Sequence, residues 1–187
     1  MLLPSASNAF CAPLVIRRCG KNSSQGSHNK SIDYCNSVFS RVAVTHLRPL
    51  QSVLNAAARL IVKKRKYDPI TATIRDVLHW LPIQQKIEFK LCDLVYKAMH
   101  HTASVYVMEL CIPVSIHQGS ANLRSATHGD LSVAANKGAT YGRRSFAVSS
   151  PTTWNALSLS IGEQSLILGQ FRSRLKTELF NRAYYVA

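Results

Sequence analysis

Two adjacent aspartates occur nowhere in this chain of 187 residues. Its nine acids, Asp33, Asp68, Asp76, Glu88, Asp93, Glu109, Asp130, Glu163 and Glu178, are scattered. A polymerase that works through two metal ions needs carboxylates placed to hold both, so this distribution speaks against that chemistry in the chain itself. A glycine-rich phosphate loop is also missing: Gly138 and Gly142 precede Arg143-Arg144-Ser145 without the required spacing or lysine. Neither Gly119-Ser120 nor Gly162-Glu163 forms a nucleophile elbow. Cysteine is sparse and odd in number, and Cys11, Cys19, Cys35, Cys92 and Cys111 contain no Cys-x-x-Cys pair. A disulfide framework is therefore not expected, and the setting expected is intracellular, nucleus or cytoplasm. His28, His100, His101 and His117 complete no zinc pattern with these cysteines, so no metal or other cofactor is expected. His79, His100 and His101 adjoin helices and read as capping or packing residues. No apolar run approaches the roughly 20 residues of a membrane span, so no membrane partner is expected, and nothing suggests a small-molecule substrate.

Positive charge is abundant. Lys and Arg number 23, the formal net charge is +14, and the sequence pI is near 10.0. That balance favours a polyanionic partner, RNA or DNA. It is unevenly spread: residues 1–30 hold four basic residues and no acid, residues 45–101 hold ten against four, and residues 102–187 hold eight against four. The first 30 residues, interrupted by Pro4, Asn8 and Pro13, read as a disordered leader that weakly resembles a transit peptide or is foreign to the domain. Residues 20–30, rich in Ser, Asn, Gly and Gln, read as a linker, which places the domain start near Ser31.

From Thr45 the apolar spacing becomes helical, with Leu47, Leu50, Leu54, Ala57, Ala58 and Ile61 on one side. Thr45 is the expected N-cap, and Pro49 then falls in the first turn. Arg48, Asn55, Arg59 and Lys66 line up on the opposite side and run into Lys63, Lys64 and Arg65, with no acid between Arg41 and Lys66. These seven residues are the candidate nucleic-acid contacts. A short helix is expected over residues 71–78, with Pro82 opening the next element.

That next helix is apolar on two arcs, Ile83, Ile87, Leu91, Leu94, Val95 and Ala98 on one, and Phe89, Cys92, Tyr96 and Met99 on the other. It is the expected buried centre of the fold, with Leu91 and Leu94 on its larger arc. Its polar strip, Lys86, Lys90, Asp93 and Lys97, is expected to be a solvated seam. Further on, residues 112–125 and 131–133 have loop or short-strand character, with turn residues at Gly119, Gly129-Asp130 and residues 136–138, and residues 143–148 suggest a strand. Residues 151–157 suggest a short helix with Trp154. A final helix carries the stripe Leu168, Phe171, Leu175 and Leu179, with Arg174, Glu178 and Arg182 at i,i+4 spacing.

Particular stretches carry more than periodicity. Ser31-Ile-Asp-Tyr-Cys-Asn-Ser, Leu47-Arg-Pro-Leu-Gln-Ser-Val-Leu-Asn-Ala-Ala-Ala-Arg-Leu-Ile61, Leu78-His-Trp-Leu-Pro-Ile83, Phe89-Lys-Leu91 and Leu94-Val-Tyr-Lys-Ala98 follow one another in order. Leu123-Arg-Ser-Ala126, Tyr141-Gly-Arg-Arg-Ser-Phe-Ala147, Trp154-Asn-Ala-Leu157 and Phe171-x-x-x-Leu-Lys-Thr-x-Leu-Phe180 continue the series. Together they resemble the region after the palm in reverse transcriptases of non-LTR, LINE-type retrotransposons. The resemblance spans nearly everything from Ser31 to Tyr184. It implies a helical thumb-like part and a C-terminal extension that help hold template and growing duplex, with the basic helix from Thr45 in the thumb-like part. The family's catalytic Asp pair lies upstream of the first matching residue, so the chain is expected to be a fragment cut off downstream of the polymerase site, and no enzyme. Ala134-Ala135 stands where the family usually has Pro-Arg, and Ser158 where it has Pro after Trp-Asn-x-Leu. Such departures fit a decayed copy.

The expected fold is mainly α, a helical thumb-like domain with a small β-hairpin element and a C-terminal helix. Its expected organisation is a leader at residues 1–30, a thumb-like region at 31–110 and an extension at 111–187. The expected function is that of a non-catalytic fragment of a LINE-type RNA-directed DNA polymerase with residual nonspecific RNA or DNA binding. The alternatives are an exapted protein-interaction module or a non-functional retrotransposon-derived reading frame. Oligomeric state is left open.

Overall fold

The computed structural model describes residues 39–117, 129–135, 141–158, 160–162 and 166–185. The expected leader and the motifs at residues 31–37 and 123–126 lie outside them. The fold is mainly α. Its helices are α1 (Val44–Ile61), α2 (Thr71–Asp76), α3 (Ile83–Met99), α4 (Val105–Glu109), α5 (Tyr141–Arg144), α6 (Phe146–Asn155) and α7 (Leu168–Tyr184), with a 3-10 turn at Val114–Ile116.

Helix α3 is the centre. Its Ile83, Ile87 and Leu91 pack against Leu47 and Leu54 of α1. Cys92, Val95, Tyr96 and Ala98 pack against Trp154 of α6 and Phe171, Leu175 and Leu179 of α7. Tyr96 stacks on Phe171 with ring centroids 4.3 Å apart, and Trp154 approaches the same ring at 5.7 Å. This second cluster contains residues from Leu81 to Leu179, so one core is continuous across residue 110.

The arcs expected on α3 are redrawn in two places. Leu94 is only half-buried, because it stands about 40° from Lys90 and about 60° from Lys97 on the wheel and so shares their outward side. The polar strip is not a solvated seam: Lys86 is 7% exposed and Asp93 3%. Asp93 is covered because α7 crosses it and supplies Arg172, whose Nε donates to the carboxylate at 2.6 Å and whose Nη2 donates at 3.2 Å. Lys97 joins from the next turn at 3.1 Å. Burial pushes the Asp93 carboxyl up, but the hydrogen bonds from Arg172 and Lys97 outweigh it and hold the group below the ordinary carboxylate range.

Helix α1 starts at Val44 with Ala43 as N-cap and no side-chain cap, so Thr45 lies inside the first turn and does not cap it. Pro49 is then the sixth helical residue and not a first-turn one. The ring nitrogen cannot donate to the Thr45 carbonyl, a loss tolerated on this exposed side. Helix α3 receives a cap that its own sequence does not contain: the Ile83 N–H donates to Gln51 Oε1 of α1 at 3.0 Å. Pro82, expected as the first helical residue, is instead its N-cap, and the helix starts at Ile83.

The expected small β-hairpin is absent among the described residues. Only an isolated antiparallel bridge joins Pro113 and Leu131. Pro113 has no N–H to extend a ladder. Leu131 finds a side chain instead of a strand, its N–H donating to Asn155 Oδ1 at 2.9 Å and its carbonyl accepting from Asn155 Nδ2 at 2.9 Å. Turn signals at Gly119 and residues 136–138 lie outside the described residues. Residues 143–148 are not a strand either: α5 ends at Arg144, Ser145 alone is extended (φ −58°, ψ 147°), and α6 starts at Phe146. Phe146 and Val148, two apart, fit the strand period, but the backbone closes the i,i+4 bond from the Ser149 N–H to the Ser145 carbonyl at 2.9 Å and continues as helix. The expected short helix at 151–157 is thus the second half of α6.

Candidate nucleic-acid interface

The basic helix ends one turn earlier than its charge pattern suggests. Ile61 is its last residue, Val62 the C-cap, and Lys63 takes a left-handed conformation with φ 55°. The Lys64 N–H bonds to the Arg59 carbonyl at 2.9 Å and the Lys63 N–H to that of Leu60 at 3.4 Å, which is a Schellman closure without glycine. Lys66 is therefore not on the helical stripe with Arg48, Asn55 and Arg59.

The loop that follows is fixed at several points. Arg59 Nε donates to the Asp68 carbonyl at 3.2 Å. Lys64 Nζ donates to Thr73 Oγ1 of α2 at 2.7 Å and to the Pro69 carbonyl at 3.4 Å. The Arg65 N–H donates to Asp68 Oδ2 at 2.9 Å, and the Asp68 N–H returns to the Arg65 carbonyl at 3.2 Å. Beneath the loop, Ile70 and Ile74 are buried on Ala58. Cationic side chains here thus serve a structural role, satisfying carbonyls that would otherwise face only water.

Sorting the seven candidate residues by these contacts divides them. Arg59 and Lys64 hold the loop. Asn55, half-buried, accepts from Gln51 Nε2 at 2.9 Å and belongs to the polar chain that caps α3. Lys63, Arg65 and Lys66 are exposed together at the end of α1. Arg48 is exposed too, but thirteen residues before Ile61, about 20 Å away along the axis. Among the described residues, no carboxylate forms an ion pair with Arg48, Lys63, Arg65 or Lys66.

Tyr67, which directly follows the cationic run, is not among the seven candidate residues. The residue is 88% exposed, and the Lys66 Nζ sits 5.4 Å from the ring centroid. An aromatic at the end of a cationic run is the signal that could have found it.

Several other titratable groups are engaged elsewhere. Glu178 pairs with Arg182, and its other oxygen accepts from Ser158 Oγ. Arg174, expected to flank Glu178, donates to the Ser160 carbonyl at 3.1 Å. Arg75 and Asp76 pair at 2.6 Å on the surface. Glu88 lines a cleft of about 360 Å³ with Leu47, Ile87, Leu91 and Arg182. Burial raises its carboxyl, opposed by Arg182 and a hydrogen bond from Gln84. The Cys92 thiol is pushed far up by burial, and that of Cys111 up to about 11, so neither is a thiolate at neutral pH. His100 is the C-cap of α3 and lies 4.1 Å from the Tyr96 ring, while His79 packs 6.1 Å from Phe180. No group of three or more His, Cys, Asp or Glu suited to a metal ion occurs among the described residues. No helix among them is long and apolar enough to cross a membrane.

No family model, curated protein or solved structure matches the chain.

Proposed function

We propose that this chain is a non-catalytic remnant of the thumb and post-thumb region of a LINE-type reverse transcriptase, holding RNA or DNA nonspecifically by the phosphate backbone. The observation that carries the proposal is the outward trio Lys63, Arg65 and Lys66, without carboxylate partners among the described residues, on a loop whose shape is fixed by Arg59 and Lys64. A fixed cationic loop meets a polyanion without first being ordered, and each contacted phosphate releases counterions. The non-catalytic part rests on the sequence, which has no adjacent acid pair. Residues that carry the resemblance, among them Val95, Trp154, Phe171 and Leu179, belong to the core, which supports reading the described chain as one inherited unit.

Titration of a duplex and of an RNA–DNA hybrid over a salt series tests this. Affinity should fall with salt, at a log–log slope near −0.9 per neutralised phosphate on DNA. Changing Lys63, Arg65 and Lys66 to Glu should flatten that slope by about 1 for each phosphate no longer neutralised, while changing Arg174 and Arg182 should matter little. Equal weakening by both sets would mean net charge alone and overturn the assignment. Primer extension on a primed RNA template with magnesium or manganese should be absent, and incorporation abolished by Asp68→Asn would refute the non-catalytic part.

A second reading, an interaction module, is favoured by the exposed apolar run Val105, Tyr106, Leu110, Ile112 and Ile116. It requires partner binding insensitive to salt and weakened by Tyr106→Ala.

A further inference from the structure

We infer that Tyr67 is a stacking platform for an unpaired nucleobase, and that the loop at the end of α1 therefore prefers single-stranded RNA or DNA, or a single-stranded overhang, to blunt duplex. This rests on the nucleic-acid reading above and names the form of its ligand.

Three observations meet at one place. Tyr67 is the most exposed large apolar or aromatic residue among the described residues, at 88%, so a planar ligand reaches the ring face away from Lys66 without displacing packed atoms. Its backbone is nonetheless held, since the turn from Arg65 to Asp68 is closed by the Asp68 N–H and the Asp68 carboxylate, and Ile70 just beyond is buried. An exposed ring on a mobile tether would lose entropy on stacking, whereas this one is presented by a fixed turn. Lys63, Arg65 and Lys66 precede it in the same loop, all exposed, with the Lys66 ammonium over the ring.

The combination suits the two chemistries of a single strand. Phosphates meet the ammonium and guanidinium groups, and a base, which has a π-face whatever its identity, stacks on the ring. In a blunt duplex the bases are already stacked on one another, and only the phosphates remain for the loop. The carboxylate of the adjoining Asp68 is turned onto the Arg65 N–H, which lessens its opposition to an incoming phosphate. Cations beside an exposed aromatic also suit an anionic lipid surface, and the test separates that outcome.

The full chain and its Tyr67→Ala and Tyr67→Phe variants are titrated with a fluorescent 12-nucleotide oligothymidine, a blunt 12-base-pair duplex, and phosphatidylserine vesicles. Because the ring is exposed, loss of fold is not expected, and circular dichroism melts confirm equal stability. Tyr67→Ala should weaken oligothymidine binding about five- to hundredfold and leave duplex binding unchanged, and Tyr67→Phe should retain wild-type affinity. If both nucleic acids bind and Tyr67→Ala alters neither, or alters both equally, the platform is refuted while the nucleic-acid reading stands. If neither binds at low salt, that reading falls and takes the platform with it. Vesicle binding that depends on Tyr67 while oligothymidine binding does not would place the ring at a lipid surface and overturn the inference.

Discussion

The end of α1 and the outward side of α7 are both rich in cations, yet the two regions use them oppositely. On α7, Arg172 is bound to the buried carboxylate of Asp93, Arg182 to Glu178 and the Ala156 carbonyl, and Arg174 to the Ser160 carbonyl. At the end of α1, Arg59 and Lys64 bind carbonyls, and Lys63, Arg65 and Lys66 are left outward. Residue type is much alike in the two places, though the cations of α7 lie within the helix and Lys63 to Lys66 follow the end of α1. What differs is the supply of acids: α3 and α7 contain them, whereas α1 has none and the Asp68 carboxylate of the following loop is taken by the Arg65 N–H. A cation becomes part of the fold where an acid or a loop carbonyl meets it, and remains available to a partner where none does.

The contrast is sharpest where α7 is weakened. Phe171 is fully buried between Tyr96 and Trp154, so Phe171→Ala should cost about 3 to 5 kcal/mol in urea unfolding. A loss below about 1 kcal/mol would mean that α7 does not close the core. Next in size is Asp93→Asn, which removes the anion from Arg172 and Lys97 and should cost about 1.5 to 3 kcal/mol at neutral pH. Because the folded carboxyl is held below its unfolded value, its contribution is present above the ordinary carboxylate range and is lost as pH falls through the depressed folded value. The wild type should therefore lose part of its stability below about pH 4, and Asp93→Asn should flatten that limb. Identical acid limbs in the two proteins would show that the ion pair is not coupled to folding.

Smaller effects come from the α1 side. Lys63 has φ 55°, which glycine adopts without steric cost, so Lys63→Gly should raise stability by about 1 kcal/mol in thermal unfolding. The same variant should weaken oligonucleotide binding, so stability and affinity move in opposite directions. A destabilised Lys63→Gly would mean that the lysine side chain supports the fold. Smallest of all, reversing Lys63, Arg65 and Lys66 together should change unfolding free energy by no more than about 0.5 kcal/mol, as for surface positions without partners. A larger drop would place these residues with the structural cations of α7.

Much of the fold is legible in the sequence. The apolar stripes of α1, α3 and α7 follow the helical period over 17 or 18 residues, long enough for one face to emerge. The misreadings have local causes. Residues 143–148 are too few for either period to show, Leu94 is apolar but stands on the side of Lys90 and Lys97, and Thr45 caps nothing because Ala43 already occupies that place. Side-chain amides that serve distant backbone, Gln51 for Ile83 and Asn155 for Leu131, leave no pattern in the sequence because their partners are 32 and 24 residues away. The cationic cluster of the candidate site is likewise plain from the residues. Its division into holders and outward groups is not, since that depends on which carbonyls the loop brings beneath Arg59 and Lys64.

The Asn155 amide has a consequence for the chemical ageing of the protein. It serves Leu131 as donor and acceptor at once, which a carboxylate cannot do. Hydrolytic deamidation to aspartate would keep the acceptor and destroy the donor, setting a carboxylate oxygen against the Leu131 carbonyl beside the buried Trp154. A change of one atom group at Asn155, invisible to the helical pattern of α6, would thus loosen the tie between α6 and the segment around Leu131, and would be read as a gain of one negative charge.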